Sequence, residues 1–254
     1  MPAYRLLASA FFFLSGAALL TEAARGADFR VENAVFADGQ SQPQSQGVTI
    51  FHAGLVYDFL LNEPAEVIVF DQAHRRFVLF SVNRQMRSEI SMADVQAFVS
   101  RVRQRLAGYP DANYKWLSDP AFEESFDRQS AELTLKSSSI SYTAEVQATD
   151  SAVAAQYREF SDWYAQFNHA LNPAKSWPPF PRMRLNEALQ RYQGVAKEVH
   201  LSAALDPNKP PIKITSRHQL VLQLDASDMN RLAKLRDYEQ SFKSVSFADY
   251  RKGK

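Results

Sequence analysis

Cysteine is absent from all 254 residues. That excludes a disulfide framework, a lipobox with its lipidated cysteine, a Cys–His catalytic pair and any zinc site built on thiolates. Glycine is scarce, eight residues scattered singly, so no glycine-rich loop is available to cradle a phosphate. The five histidines, His52, His74, His169, His200 and His218, never stand four residues apart, and neither HExxH nor GxSxG occurs. No metal and no cofactor is expected. Neither sign of charge dominates, with 29 Lys+Arg against 28 Asp+Glu. Without a long-range field to gather phosphates, nucleic acid is not an expected partner.

Long apolar runs are lacking too, with one exception at the start. Arg5 precedes Leu6 to Leu20, an apolar run short for a bilayer, and the small residues Ala23, Ala24, Gly26 and Ala27 follow. This is the pattern of a secretory signal peptide over 1–26, the alternative being an N-terminal membrane anchor. Cleavage is expected between Ala23 and Ala27, and a cut before Ala27 would remove Arg5, Arg25 and Glu22, taking the net charge from +1 to zero. The expected mature chain, 27–254, is exported to a periplasm or the extracellular space and has no further transmembrane segment. Its length suits a single domain, two small ones being possible.

What is present is β-forming sequence. Phe29 to Phe36 alternates Val31, Asn33 and Val35 against Arg30, Glu32 and Ala34, and predicts an opening strand before a polar loop. Val48 to Glu89 is the densest β-forming stretch. Val48, Ile50 and His52 share one face of a strand, and Ala53-Gly54 turns into Leu55 to Leu61, where Tyr57, Phe59 and Leu61 oppose Val56, Asp58 and Leu60. Strands over 66–70, 76–80 and 86–90 follow, and loops this short force antiparallel hairpins. Ser91 caps a helix, with Asp94 at the capping-box position and Met92, Val95, Phe98, Val99, Val102 and Leu106 at helical spacing before Gly108. Arg101, Arg103 and Arg105 on that helix form either a solvated face or a patch for anionic lipid heads.

The aromatic stretch 109–130 is expected to pack as a lid or short helices. A hairpin over 132–136 and 140–147 leads to a second helix from Asp150 or Ser151, with Tyr157, Phe160, Tyr164 and Phe167 on its apolar stripe. Four prolines make 172–181 an extended crossing, either a stiff connector pinned by Trp177 and Phe180 or a proline-rich contact segment. A helix over 182–192, strands over 199–205 and 212–224, and a helix capped by Asp225 or Ser227 complete the chain. The basic end from Tyr250 is expected to fray. Strands followed by a helix recur over 29–107, 131–171 and 197–242. That rhythm predicts an α+β fold, one long curled antiparallel sheet with helices packed on its concave face.

Catalytic candidates are sparse. His52 and His218, both on apolar strand faces, are the only histidine pair of interest. Among Asp58, Glu63, Glu66 and Asp71, Asp58 stands out because burial in an apolar strand would raise its pKa. No partner for it can be identified, and the chain reads as a non-enzyme.

The succession Gly54-Leu55-Val56-Tyr57-Asp58-Phe59, Glu66-Val67-Ile68-Val69-Phe70-Asp71 and Arg76-Phe77-Val78-Leu79-Phe80 resembles an uncharacterised family of exported bacterial proteins over most of the mature chain. More remotely, over 29–107, its rhythm is similar to that of the LolA-like periplasmic lipoprotein carriers. The resemblance implies a half-barrel with an apolar cavity between sheet and helices, able to hold a lipid or another hydrophobic ligand. The carriers are shorter and have no counterpart to 109–130 or 172–181, so no carrier site residue transfers. Lining candidates are Tyr57, Phe59, Phe98, Tyr142 and Leu222. The alternative is a cell-envelope scaffold whose core is filled by Phe98, Phe160, Trp163 and Phe167 and whose contact surface for an envelope protein is the 109–130 lid with Trp177 and Phe180.

Overall fold

The computed structural model describes residues 26–206 and 208–252. Apart from Gly26, the leader expected over 1–26 lies outside the described residues. The strands are β1 (Phe29–Ala37), β2 (Ser45–His52), β3 (Leu55–Leu60), β4 (Glu66–Asp71), β5 (Arg76–Ser81), β6 (Met86–Ser91), β7 (Glu123–Asp127), β8 (Glu132–Lys136), β9 (Ile140–Ala148), β10 (Gly194–Ala203), β11 (Ile212–Val221) and β12 (Lys243–Ser244). The helices are α1 (Met92–Ala107), α2 (Ala112–Trp116), α3 (Ser151–Leu171), α4 (Phe180–Arg191), α5 (Ala226–Ser241) and α6 (Phe247–Arg251).

All twelve strands join one sheet in the order β12-β6-β5-β4-β3-β2-β1-β11-β10-β9-β8-β7. Each neighbouring pair is antiparallel except β12 and β6. The end strands are not paired to each other, so the sheet does not close. The hairpin turn between β2 and β3 is as local as its sequence suggests: Ala53 and Gly54 both take positive φ, 52° and 79°, the backbone that two-residue hairpins require and that glycine adopts at no steric cost.

Because side chains alternate across a strand, the registers fix two faces. The front face carries Phe29, Val31, Phe51, Val56, Ile68, Phe70, Phe77 and Leu79, which cluster with Met92, Val95 and Val99 of α1 and with Val153, Tyr157, Phe160 and Phe167 of α3. Further along the same face Leu133, Leu135, Tyr142, Ala144 and Val199 cluster with Leu185, Ala188 and Leu189 of α4. Each of the large side chains contributes about 1.5–3 kcal/mol by leaving water. The sequence rhythm predicts helices on one face only, and α5 departs from that. Val48, Ile50, Phe59, Val67, Val69 and Phe80 point to the back and cluster with Leu235 of α5. The apolar stripe of α5 is a partner for that second half-buried face, since β2 to β5 are apolar on both sides.

Several local expectations change, among them four that bear on packing. The 109–130 stretch contributes an edge strand, β7, besides the short α2. β7 is mostly exposed and bears Glu123, Glu124 and Asp127, charges that discourage edge-to-edge pairing and hide the strand from an alternation test. Helix α4 begins two residues early, at Phe180, with Pro181 in its first turn, where a missing amide costs nothing. Strand β11 ends at Val221, leaving Leu222 60% exposed. Tyr250 does not fray: it is fully buried, donates to Glu66 Oε1 at 3.2 Å and lies under the Arg84 guanidinium, whose Nη1 donates to the Tyr250 carbonyl at 2.9 Å. Among the described residues no helix is long and apolar enough to cross a membrane.

Candidate functional site

Between the two front clusters, where β1, β2, β3 and β11 pass beneath α3, the inward positions turn polar. Asn33, Thr49, Asp58, Ser216 and His218 occupy the front face, each at a position where its strand neighbours on that face are mostly apolar. With Val35, Leu60, Tyr157, Phe160, Ser161, Tyr164, Asn168 and Arg182 they surround a cavity of about 390 Å3.

The polar side chains form one connected series. His218 Nδ1 meets Asn33 Oδ1 at 2.7 Å, Asn33 Nδ2 donates to Thr49 Oγ1 at 3.0 Å, and the Thr49 hydroxyl donates to Asp58 Oδ1 at 2.7 Å. From the helix side the Tyr164 hydroxyl donates to Asp58 Oδ2. An amide oxygen can only accept, so the His218 proton sits on Nδ1 and Nε2 accepts from the Ser216 hydroxyl, 3.1 Å away. The series crosses four strands and reaches α3, so each donor finds an acceptor beneath the helix, where an unpaired buried group would be costly.

Burial governs the charge of these groups. It pushes the Asp58 carboxyl above the usual carboxylate range, against the opposing hydrogen bonds from Tyr164 and Thr49. Burial, and then the neighbouring Asp58, raises the Tyr164 phenol well above its usual value. Burial, helped by the Arg182 cation, brings His218 down to about 3. The site therefore favours neutral, hydrogen-bonding side chains, with Arg182 as its permanent charge.

A stability measurement follows from Asp58. An acid whose native pKa is raised stabilises the fold most below its unfolded value, near 3.8, and loses that contribution as pH rises through the native value. Asp58→Asn removes this loss. In urea titrations from about pH 4 to 8 the variant is expected to gain on the wild type as pH rises, by about 1.4 kcal/mol for each unit between the two values. His218 is common to both proteins and cancels from the difference. A pH-independent gap would contradict the assignment.

Ser216, His218 and Asn33 stand in the order of nucleophile, base and orienter. Chemistry of that kind is not supported by their surroundings. β11 lies between β1 and β10 with its amides taken up in the ladders, leaving no backbone donors beside Ser216 for an oxyanion. A histidine that loses its proton near pH 3 is also too weak a base for neutral pH.

The residues expected to line a cavity are dispersed. Tyr57 and Phe59 face the back of the sheet, toward α5. Phe98 lies on the α1 side of the front core, against His169 with ring centroids 5.8 Å apart. Tyr142 is buried in the α4 cluster, and Leu222 is exposed beyond the end of β11. The two surface candidates turn inward: Phe180 is 3% exposed in the α3 core and Trp177 packs against the α4 cluster, as a pinned connector requires. His52 and His218 lie on opposite faces, His52 Nδ1 meeting Asp28 Oδ2 at 2.8 Å. Of the four carboxylates only Asp58 reaches the cavity, while Asp71 pairs with His74 and Arg76, Glu66 accepts from Tyr250, and Glu63 accepts from Asn83.

Residue reading passed over Asn33, Thr49, Tyr164, Arg182 and Ser216. For Asn33, Thr49 and Ser216 the signal was a polar residue at an inward position of a strand, which gains meaning only once β1, β2 and β11 are known to lie near one another, while Tyr164 and Arg182 on α3 and α4 carried no signal of their own. Among the described residues no group of three or more His, Asp or Glu side chains is arranged to hold a metal. No protein-family model and no curated protein matches the chain.

Proposed function

We propose that this chain is an exported, non-enzymatic protein that holds a small ligand with an apolar body and a polar head in the cavity between the sheet and α3. The observation that carries this reading is the cavity itself. At about 390 Å3 it falls within the range of small-molecule sites, and it pairs an apolar wall with a few convergent polar groups, as such sites do. Burying five polar side chains in the middle of an apolar face opposes stability unless they are satisfied. Here they satisfy one another and leave the cavity surface able to hydrogen-bond. The apolar wall, Val35, Leu60, Phe160 and Ala165, suits an alkyl or ring portion. The likeness of 29–107 to the LolA-like carriers, with their half-barrel and concave helix-covered face, agrees with a carrier role.

The test is native mass spectrometry of protein purified from its own cell envelope, together with titration by a fluorescent fatty acid. A co-purified small molecule and saturable uptake are expected. Ala165→Trp, which fills the cavity from α3, is expected to abolish uptake while leaving the circular dichroism spectrum intact. Absence of both ligand and uptake in the wild type would end the carrier reading and leave the envelope-scaffold alternative.

A further inference from the structure

The head group of the ligand can be specified further, on the premise that the cavity is a binding site. Arg182, in the first turn of α4, lines the cavity. Its Nε donates to Asn186 Oδ1 at 3.0 Å, and among the described residues no carboxylate forms an ion pair with it. The acidic neighbour whose charge it shares is Asp162. That carboxylate is already engaged, Oδ1 accepting from Asn186 Nδ2 at 2.8 Å and Oδ2 from Arg158 Nε at 3.4 Å. Two arginines thus surround one carboxylate, and the excess positive charge falls on the cavity wall.

The groups that could cancel that charge do not. Asp58 has both oxygens occupied by Thr49 and Tyr164, and burial disfavours its charged form. Tyr157 and Tyr164 are kept protonated by burial, and His218 is neutral. The rest of the lining near α3 is uncharged, Ser161 and Asn168 offering donors. One uncompensated guanidinium matches one negative charge. With Nε committed to Asn186, its two terminal nitrogens remain to grip a planar anion in the forked manner suited to a carboxylate. A volume of about 390 Å3 accommodates one chain and not the two chains of a membrane phospholipid, because it lies at the low end of ligand sites.

We infer that the cavity takes a single-chain carboxylate amphiphile, its head paired with the Arg182 guanidinium and its chain laid along Val35, Leu60 and Phe160. The experiment is calorimetric titration of the full chain with three probes of equal length, decanoate, decanol and decylamine. Decanoate is expected to bind at least about tenfold more tightly than decanol, the difference a charge-assisted contact provides, and decylamine not measurably. Arg182→Met is expected to bring decanoate down to the affinity of decanol while leaving decanol unchanged, and Arg182→Lys to retain part of the preference. Equal affinity for decanoate and decanol in the wild type, or a preference that survives in Arg182→Met, would overturn the carboxylate assignment and leave the carrier reading standing. The wild-type comparison decides the matter even if Arg182→Met fails to fold. Failure of all three probes to bind would overturn both.

Discussion

Phe51→Ala is expected to lower the unfolding free energy by about 3–5 kcal/mol, the cost of emptying a fully buried aromatic site. Phe51 is 0% exposed at the point where the sheet meets α3. Its ring stacks on Phe29 with centroids 4.0 Å apart and interplanar angle 13°, and meets Phe160 edge-on at 5.6 Å and 84°. Tyr157 stands 6.3 Å away. The substitution removes the transfer free energy of the ring and leaves a cavity that rigid neighbours on two elements cannot close. Because Tyr157 and Phe160 also line the cavity under α3, the same variant is expected to weaken any uptake of the fluorescent fatty acid that the wild type shows. Urea denaturation checks the first effect: the midpoint should fall with an unchanged slope. Tyr109→Ala, at a ring 47% exposed, serves as the reference and should stay within about 0.5 kcal/mol of the wild type. A Phe51→Ala loss no larger than that reference would mean that the aromatic stack does not tie α3 to the sheet.

Asp228→Ala carries the second large effect, about 3 kcal/mol of destabilisation, by taking the buried partner from the part-buried Arg30 guanidinium. Asp228 is 0% exposed, and its Oδ2 accepts from Arg30 Nη1 at 2.7 Å and from the Asp225 backbone amide at 3.0 Å. One carboxylate therefore completes the capping box of α5 and fastens that helix to β1. The Arg30 guanidinium is held more firmly protonated by Asp228 first, with further help from Asp225 and Glu32. These two remain in the variant, and the loss is set at the low end of the usual range for that reason. The double variant Arg30→Met with Asp228→Ala should recover part of it, since no charge is then stranded, and a double-mutant cycle measures the coupling. Strictly additive losses would show that cap and ion pair act independently.

Much of this architecture is local and was legible residue by residue. The alternation of Val56, Asp58 and Leu60 against Tyr57 and Phe59 assigns the same two faces that the β3 registers do. Ser91 accepts from the Asp94 amide at 3.0 Å, and Asp150 from the Ala152 amide at 2.7 Å, as short polar residues ahead of an apolar helical stripe imply. Elements without such a stripe escaped. In β7 the backbone pairing to β8 holds Glu123 to Asp127 extended although only Phe126 packs. At the C-terminal end a single aromatic, Tyr250, is buried by Glu66 and Arg84, residues 184 and 166 positions away.

The candidate site divides in the same way. Asp58 and His218 could be singled out from their apolar surroundings, but nothing in the chain joined them, and Tyr57 and Phe59, which alternate with Asp58, face the other side of the sheet. The sequence by itself determined the strands that alternate, their hairpins, the caps and stripes of the long helices, and the exclusion of thiol and glycine-loop chemistry, because a period of two or 3.6 residues and a cap are properties of contiguous chain. Only the tertiary structure decided that β1 lies beside β11, that α5 takes the back of the sheet while α3 takes the front, and that His218 meets Asn33 across 185 residues. Those outcomes depend on which distant surfaces bury one another most completely, and that is a balance over the whole molecule that no local pattern carries.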